Sequence, residues 1–316
     1  MKIRIAIEIV IVIIFVITIP IALILGKNVS SDIKASENAI QYLQKGDQFF
    51  NQGRSKYNDA SVQYWNALKL NPKLEDAHFR LAEIYYEYIW NYEALNELQK
   101  LEKINPKYPG LYLLFGKLYH RMAEIDKAFK AFQNSIALDP QNSESYYYLG
   151  TIYQQRNNNE EAIKAYNQAI MSPITPMSKE SIVKSYLQLG RIYKTDKDLD
   201  KAIELLKKAL IIDPKSVDVI SELTLIYSQK ADQYKAQQNF DDAAKIYEEM
   251  IRLSPDSNES IQYYMELGSI YKGKGLYDKA ISMYEAVKKL DPLNFDAFTS
   301  IKELEMLKSG KVGVEK

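Results

Sequence analysis

Apolar residues in the middle of this chain recur at intervals of three and four, the period of one helix face. Between residues 145 and 173 that face is set by Tyr146, Leu149, Gly150 and Tyr153, and the polar run RNNNEE interrupts it. Ala162, Ile163, Tyr166, Ala169 and Ile170 resume the period until Ser172 and Pro173 stop it. The pattern predicts a helical hairpin, a unit with too little internal contact to hold itself together in water. Thirty-four residues upstream, Phe115, Gly116, Tyr119, Ala128 and Phe132 repeat the set, and Leu81, Ala82, Tyr85, Ala94 and Leu98 repeat it again. Seven such hairpins follow one another, closed at Pro72, Pro106, Pro140, Pro173, Pro214, Pro255 and Pro292. A fixed-period array predicts an all-α solenoid in which each unit buries its apolar face on its neighbours.

Glycine inside a helix costs about 1 kcal/mol relative to alanine. Gly116, Gly150, Gly190 and Gly268 nevertheless lie inside helical patterns, which implies close helix crossings. Ala128, Ala162, Ala202 and Ala280 are the small residues expected on the second helices. The many tyrosines read as core packing with the phenol at the rim. The order aromatic, Leu-Gly, Tyr, Ala, aromatic, Ala, Pro at Tyr146, Leu149, Gly150, Tyr153, Ala162, Tyr166, Ala169 and Pro173 resembles the tetratricopeptide repeat family. The resemblance spans residues 39–308. It implies a right-handed superhelical solenoid of about seven hairpins and, for most members, an adaptor that holds a peptide or helix in a concave groove. Some members clamp a terminal carboxylate with lysines and asparagines from successive first helices, a set this chain does not supply. Others are membrane-tethered assembly factors.

The frame breaks in four places. The stretch from Gly46 to Ala60 is two residues longer than the later turns, residues 174–182 stretch one junction by six, and residues 258–260 add about three. Seven extra residues separate Tyr227 from Ala243, without Pro or Gly, and predict a longer helix pair projecting from one edge. After Pro292, one apolar face formed by Phe295, Phe298, Ile301, Leu304 and Leu307 predicts a capping helix, and residues 309–316 read as a tail.

The N-terminus follows a different pattern. An apolar run from Ile9 to Gly26, broken only by Thr18, follows Lys2, Arg4 and Glu8. Ile5 to Gly26 as one helix would span about 33 Å, enough for a bilayer core. Residues 1–27 are therefore expected to be a lipid-embedded anchor, kinked at Pro20, and residues 28–38 a linker. The upstream positive charge places the N-terminus in the cytoplasm and the repeats outside it. The run exceeds the core of a typical cleaved leader, which favours retention.

Charge narrows the function. Lys and Arg total 41 against 41 Asp and Glu, and no basic stripe announces nucleic acid. The chain has no cysteine, and its two histidines, His78 and His120, read as surface or groove residues. The sequence Gly273-Lys274-Gly275 lacks the frame of a phosphate loop. No catalytic set, metal ligand set or cofactor motif stands out.

What remains is a peptide groove along the first helices. Residues one face away from the packing set are Phe79, Glu83 and Tyr86, then Leu113, Lys117 and Arg121, then Tyr147 and Gln154, then Leu187, Arg191 and Lys194, and finally Met265. Apolar groups flanked by cations suit a protein segment, the cations reading carboxylates or carbonyls on the partner. The expected protein is a membrane-anchored scaffold or assembly factor. A self-associating homo-oligomeric component is the alternative, and an enzyme the weaker third reading.

Overall fold

The computed structural model describes residues 34–309, and every regular element among them is helical. Helix α1 covers residues 34–50 and α2 Tyr57–Leu70. They are followed by α3 (Glu75–Glu87), α4 (Asn91–Ile104), α5 (Leu111–Arg121), α6 (Ile125–Leu138), α7 (Ser143–Gln155) and α8 (Asn159–Met171). Then come α9 (Lys179–Thr195), α10 (Leu199–Ile212), α11 (Val217–Ala236), α12 (Phe240–Leu253), α13 (Asn258–Gly273), α14 (Tyr277–Leu290) and α15 (Phe295–Lys308). The first fourteen are the seven predicted hairpins. The chain divides into two compact units after Ile152, within α7. The apolar run from Ile5 to Gly26 lies outside the described residues, as does most of the expected tail. Among the described residues no helix is long and apolar enough to cross a membrane. Helix α1 is already formed at residue 34, ahead of the linker end expected at residue 38.

One backbone device closes six of the hairpins. The second residue after the first helix of each adopts a left-handed conformation: Ile89, Ala123, Asn157, Lys197, Gln238 and Gly275, with φ between 56° and 72°. The next N–H then donates to the carbonyl of a tyrosine five positions back, at Tyr85, Tyr119, Tyr153, Tyr193, Tyr234 and Tyr271. This closure satisfies helix-end carbonyls and turns the chain sharply. Only one of the six left-handed residues is glycine, so the turn signal is weak in the sequence.

The glycines mark the crossings. A Cβ on Gly116 would lie 2.6 Å from Phe132 Cδ1, one on Gly190 2.9 Å from Leu206 Cγ, and one on Gly268 2.8 Å from Tyr284 Cε1. Gly46 meets Tyr64 in the same way, at 2.7 Å. The partner is thus the large residue one turn beyond the buried alanine, not the alanine itself. Tyr64, Leu81, Leu98 and Leu118 are fully buried in the first unit, and Leu206, Leu223, Ile226 and Leu304 in the second.

The frame breaks become local structure. The two extra residues of the first hairpin form a short 3-10 turn, Arg54–Lys56, after Gly53. The seven extra residues all enter α11, which has 20 residues while its partner α12 has 14. The expected longer pair is therefore a single longer helix, because Asn239 caps α12 by accepting from the Asp242 N–H and fixes its start. The extension is also pinned: Ala231 is fully buried, Lys230 pairs with Asp200, and Lys235 pairs with Glu266 at 2.8 Å. In α15 the packed face is Ala297, Ile301 and Leu304, whereas Phe295 and Phe298 are 73% and 52% exposed. The predicted five-residue apolar face is corrected there, since Ala297 takes the core position at the start of the helix.

Candidate binding surfaces

In the first unit, α3 and α5 bring five of the predicted residues together. Phe79 is half-buried, with its ring centroid 5.0 Å from that of Tyr108. Glu83 accepts from Arg80 at 2.8 Å, and Arg80 also lies 3.5 Å from Asp47 of α1. Burial pushes the Glu83 carboxyl above its ordinary value despite that cation. The Arg121 guanidinium stacks 3.7 Å from the Tyr86 ring centroid and donates through Nη1 to the Tyr86 carbonyl at 2.7 Å. Lys117 sits 5.5 Å from the same ring and pairs with Glu144 of α7 at 2.8 Å. Leu113 is half-buried on α5, and Tyr147 packs edge-on against Tyr148 at 5.3 Å.

The second unit holds the remaining five. Gln154 accepts from the Tyr166 hydroxyl. Arg191 donates through Nε to Glu222 at 2.8 Å, and Lys194 donates to the other carboxylate oxygen. Burial opposes the Glu222 charge, but the two cations outweigh it and hold the carboxyl below its usual range. Met265 is half-buried against the core. Leu187 is only 5% exposed within that core, so it offers no surface to a ligand and leaves the predicted track.

A rule emerges from these pairs. Lys235 reaches Glu266 and Lys272 reaches Glu303, at 2.8 and 2.7 Å, so a cation on one first helix pairs with a carboxylate on the next. Lys117, Arg191 and Lys194 obey it too. The cations expected to read a partner's carboxylates are thus engaged by their own neighbours, because the stacking of successive first helices brings the opposite charge within reach.

The structure adds a cleft that the sequence reading missed. It is an open space of about 510 Å³, lined by Val217, Ser221, Leu225 and Ser228 of α11, by Ser254, and by Tyr263 of α13. Leu225 is half exposed while the neighbouring Ile226 and Tyr227 are buried, so the lining face is distinct from the packing face. The signal was present in the spacing of Ser221, Leu225 and Ser228 by four and three. It was masked because α11 lacks the glycine that sets the frame elsewhere.

The histidines are also placed. His78, expected at the surface or in the groove, is buried. Its Nδ1 lies 2.6 Å from Glu97 Oε2, and its Nε2 lies 3.0 Å from the Pro72 carbonyl. The ring thus bridges the Glu97 carboxylate and the Pro72 carbonyl. Burial opposes the Glu97 charge, but hydrogen bonds from His78 and Lys100 outweigh it and hold the carboxyl below its ordinary value. His120 is half-buried with its ring 5.4 Å from Tyr148, and burial lowers its pKa. Among the described residues no three His, Asp or Glu side chains gather as a metal site.

Paired helices crossing at glycine, closed by a left-handed residue and packed each on the next, define a helical-hairpin repeat protein. Tetratricopeptide repeat models match residues 46–87, 109–142, 131–164, 183–216, 229–257 and 261–292, and the chain belongs to that family. A human relative, protein O-mannosyl-transferase TMTC1, is 34% identical over 88 residues, which are 28% of this chain and 9% of that protein. The chain thus spans about a tenth of that relative's length. Among solved structures, the C-terminal part of a TPR repeat-containing protein from Cytophaga hutchinsonii aligns with a TM-score of 0.57 at 18% identity. That alignment covers 82% of this chain and 99% of the other. A thermophilic TPR protein of Thermus thermophilus is 23% identical over 60% of this chain and 98% of its own, with a TM-score of 0.45.

Proposed function

We propose that this protein is a membrane-anchored scaffold whose repeats hold a helical or extended segment of a partner protein. TPR proteins generally bind protein or peptide partners, and the repeat array supports the same role here. The observation that carries the reading is the cleft between α11 and α13, where Val217, Leu225 and Tyr263 offer apolar contact beside the hydroxyls of Ser221 and Ser228. Serine hydroxyls can both donate to and accept from a partner backbone, while the apolar groups supply the affinity. The pairing of Arg191, Lys194 and Lys235 with their neighbours favours a partner that brings apolar side chains over a strongly acidic one. The apolar run from Ile5 to Gly26 supports the anchor, and Lys2 and Arg4 support an extracytoplasmic location for the repeats.

The test is retention of partner from detergent-solubilised membranes by the full chain and by Leu225→Asp/Tyr263→Ala. The double variant should lose the partner while circular dichroism remains helical. Undiminished retention would place the partner elsewhere. A second reading, self-association, is favoured by Leu293, Phe295 and Phe298, which leave an apolar patch at the last helix. Sedimentation of Phe295→Ser/Phe298→Ser against the unchanged chain separates the two, since only a self-associating protein loses mass.

A further inference from the structure

The chain contains two tryptophans, and both lie on one surface patch of the first two hairpins. Trp65 is 42% exposed and Trp90 51% exposed. They are joined through Tyr85: the Trp65 indole N–H donates to the Tyr85 hydroxyl at 3.1 Å, and the Tyr85 and Trp90 rings lie 5.7 Å apart. Val62, Ile89 and Tyr92 beside them are also exposed, and Lys100 rides 5.9 Å over the Trp65 ring. Large aromatic groups left half in water, with the Trp65 indole N–H held by the Tyr85 hydroxyl, have the chemistry of a membrane–water interface, where indole and phenol rings sit at the headgroups.

The position along the chain fits. Asn66, Lys69 and Leu70 face Asn38, Gln41, Tyr42 and Lys45 across the first hairpin, so Trp65 is level with the middle of α1. That is about 15 Å along the helix from residue 34, at ~1.5 Å per residue. Residues 27–33 separate the apolar run from α1 and can extend over at most ~25 Å. A patch so close to the tether can come back to the bilayer that the tether leaves. We infer that the Trp65–Trp90 patch rests on the headgroup layer of the bilayer and lays the first two hairpins against the membrane. This inference rests on the anchored reading above.

The full chain reconstituted into phosphatidylcholine and phosphatidylglycerol vesicles tests it, because its intrinsic tryptophan emission comes from these two side chains alone. With phosphatidylcholine brominated near the ester end of its acyl chains, directly beneath the headgroups, emission should be measurably quenched, since both rings lie against that layer. Trp65→Phe and Trp90→Phe, each leaving one reporter, should both remain quenched. Co-flotation with the vesicles but emission unaffected by bromine would overturn the patch and leave the anchor standing. Failure to co-float would overturn the anchor and the patch with it. Quenching that disappears as protein is diluted in lipid would assign the rings to a second copy of the chain and overturn the proposal.

Discussion

Gly116→Ala adds one methyl group at the crossing of α5 and α6, and the structure sets what it meets. The new Cβ would lie 2.6 Å from Phe132 Cδ1 and 2.8 Å from Cζ. Carbon atoms rest at about 3.5–4.0 Å, so the overlap is close to 1 Å. Phe132 is fully buried, and its ring is stacked on Tyr148 with centroids 4.9 Å apart and planes 2° from parallel. The ring therefore has nowhere to retreat without disturbing α7. Overpacking of this kind costs about 1–3 kcal/mol, and alanine returns about 1 kcal/mol of helix propensity. The net expectation is a loss of up to about 2 kcal/mol, toward the upper end because the ring cannot move away. Urea denaturation followed by circular dichroism reads it as a lower midpoint. Gly273→Ala is the control, because nothing lies within 4 Å of its Cβ and its midpoint should hold or rise. In a double-mutant cycle Phe132→Leu should recover part of the loss by making room. A Gly116→Ala midpoint equal to or above that of the unchanged chain would refute the crossing argument.

Three further outcomes follow from the same geometry. Gly275→Ala puts a Cβ on a residue at φ 72° and should cost about 1–2 kcal/mol, whereas Lys197→Gly at φ 64° should gain up to about 1 kcal/mol; thermal midpoints check both. Glu97→Gln removes a buried carboxylate that lies 2.6 Å from both His78 Nδ1 and Lys100 Nζ and should cost about 1–3 kcal/mol at neutral pH. Because the folded-state carboxyl of Glu97 lies below the ordinary 4.5, its contribution is complete above that value and is lost as pH falls through the folded one. The stability gap between Glu97→Gln and the unchanged chain should therefore narrow on acidification below pH 4.5, and a gap that widens there would contradict the pair.

The hairpins were legible because their determinants repeat: an apolar face of period three and four, a glycine, an alanine and a closing proline. The turns were not, since Ile89, Ala123 and Lys197 take a left-handed conformation that no residue preference announces. The seven-residue insertion was seen, but its assignment to α11 alone depends on the Asn239 cap, one asparagine among several. Helix face alone does not fix which groove residues are open to a ligand. Face identifies which residues point outward, but not which are already engaged, and the ion pairs from Lys117, Arg191 and Lys194 run to residues 27 to 31 positions away. Leu187 shows the other limit: α9 is buried on more than one side, so a face opposite the glycine can still be core.

The central claim is that a partner segment lies in the cleft between α11 and α13 while the chain is held at a membrane. The most direct measurement places a photo-reactive amino acid at Leu225 in the full chain, with Lys208 on α10 as the control position, and irradiates intact membranes. The account predicts one discrete cross-linked protein adduct from position 225, absent from position 208 and lost with Tyr263→Ala. Identical adduct patterns from the two positions, or none from 225 in membranes that contain the protein, would contradict it.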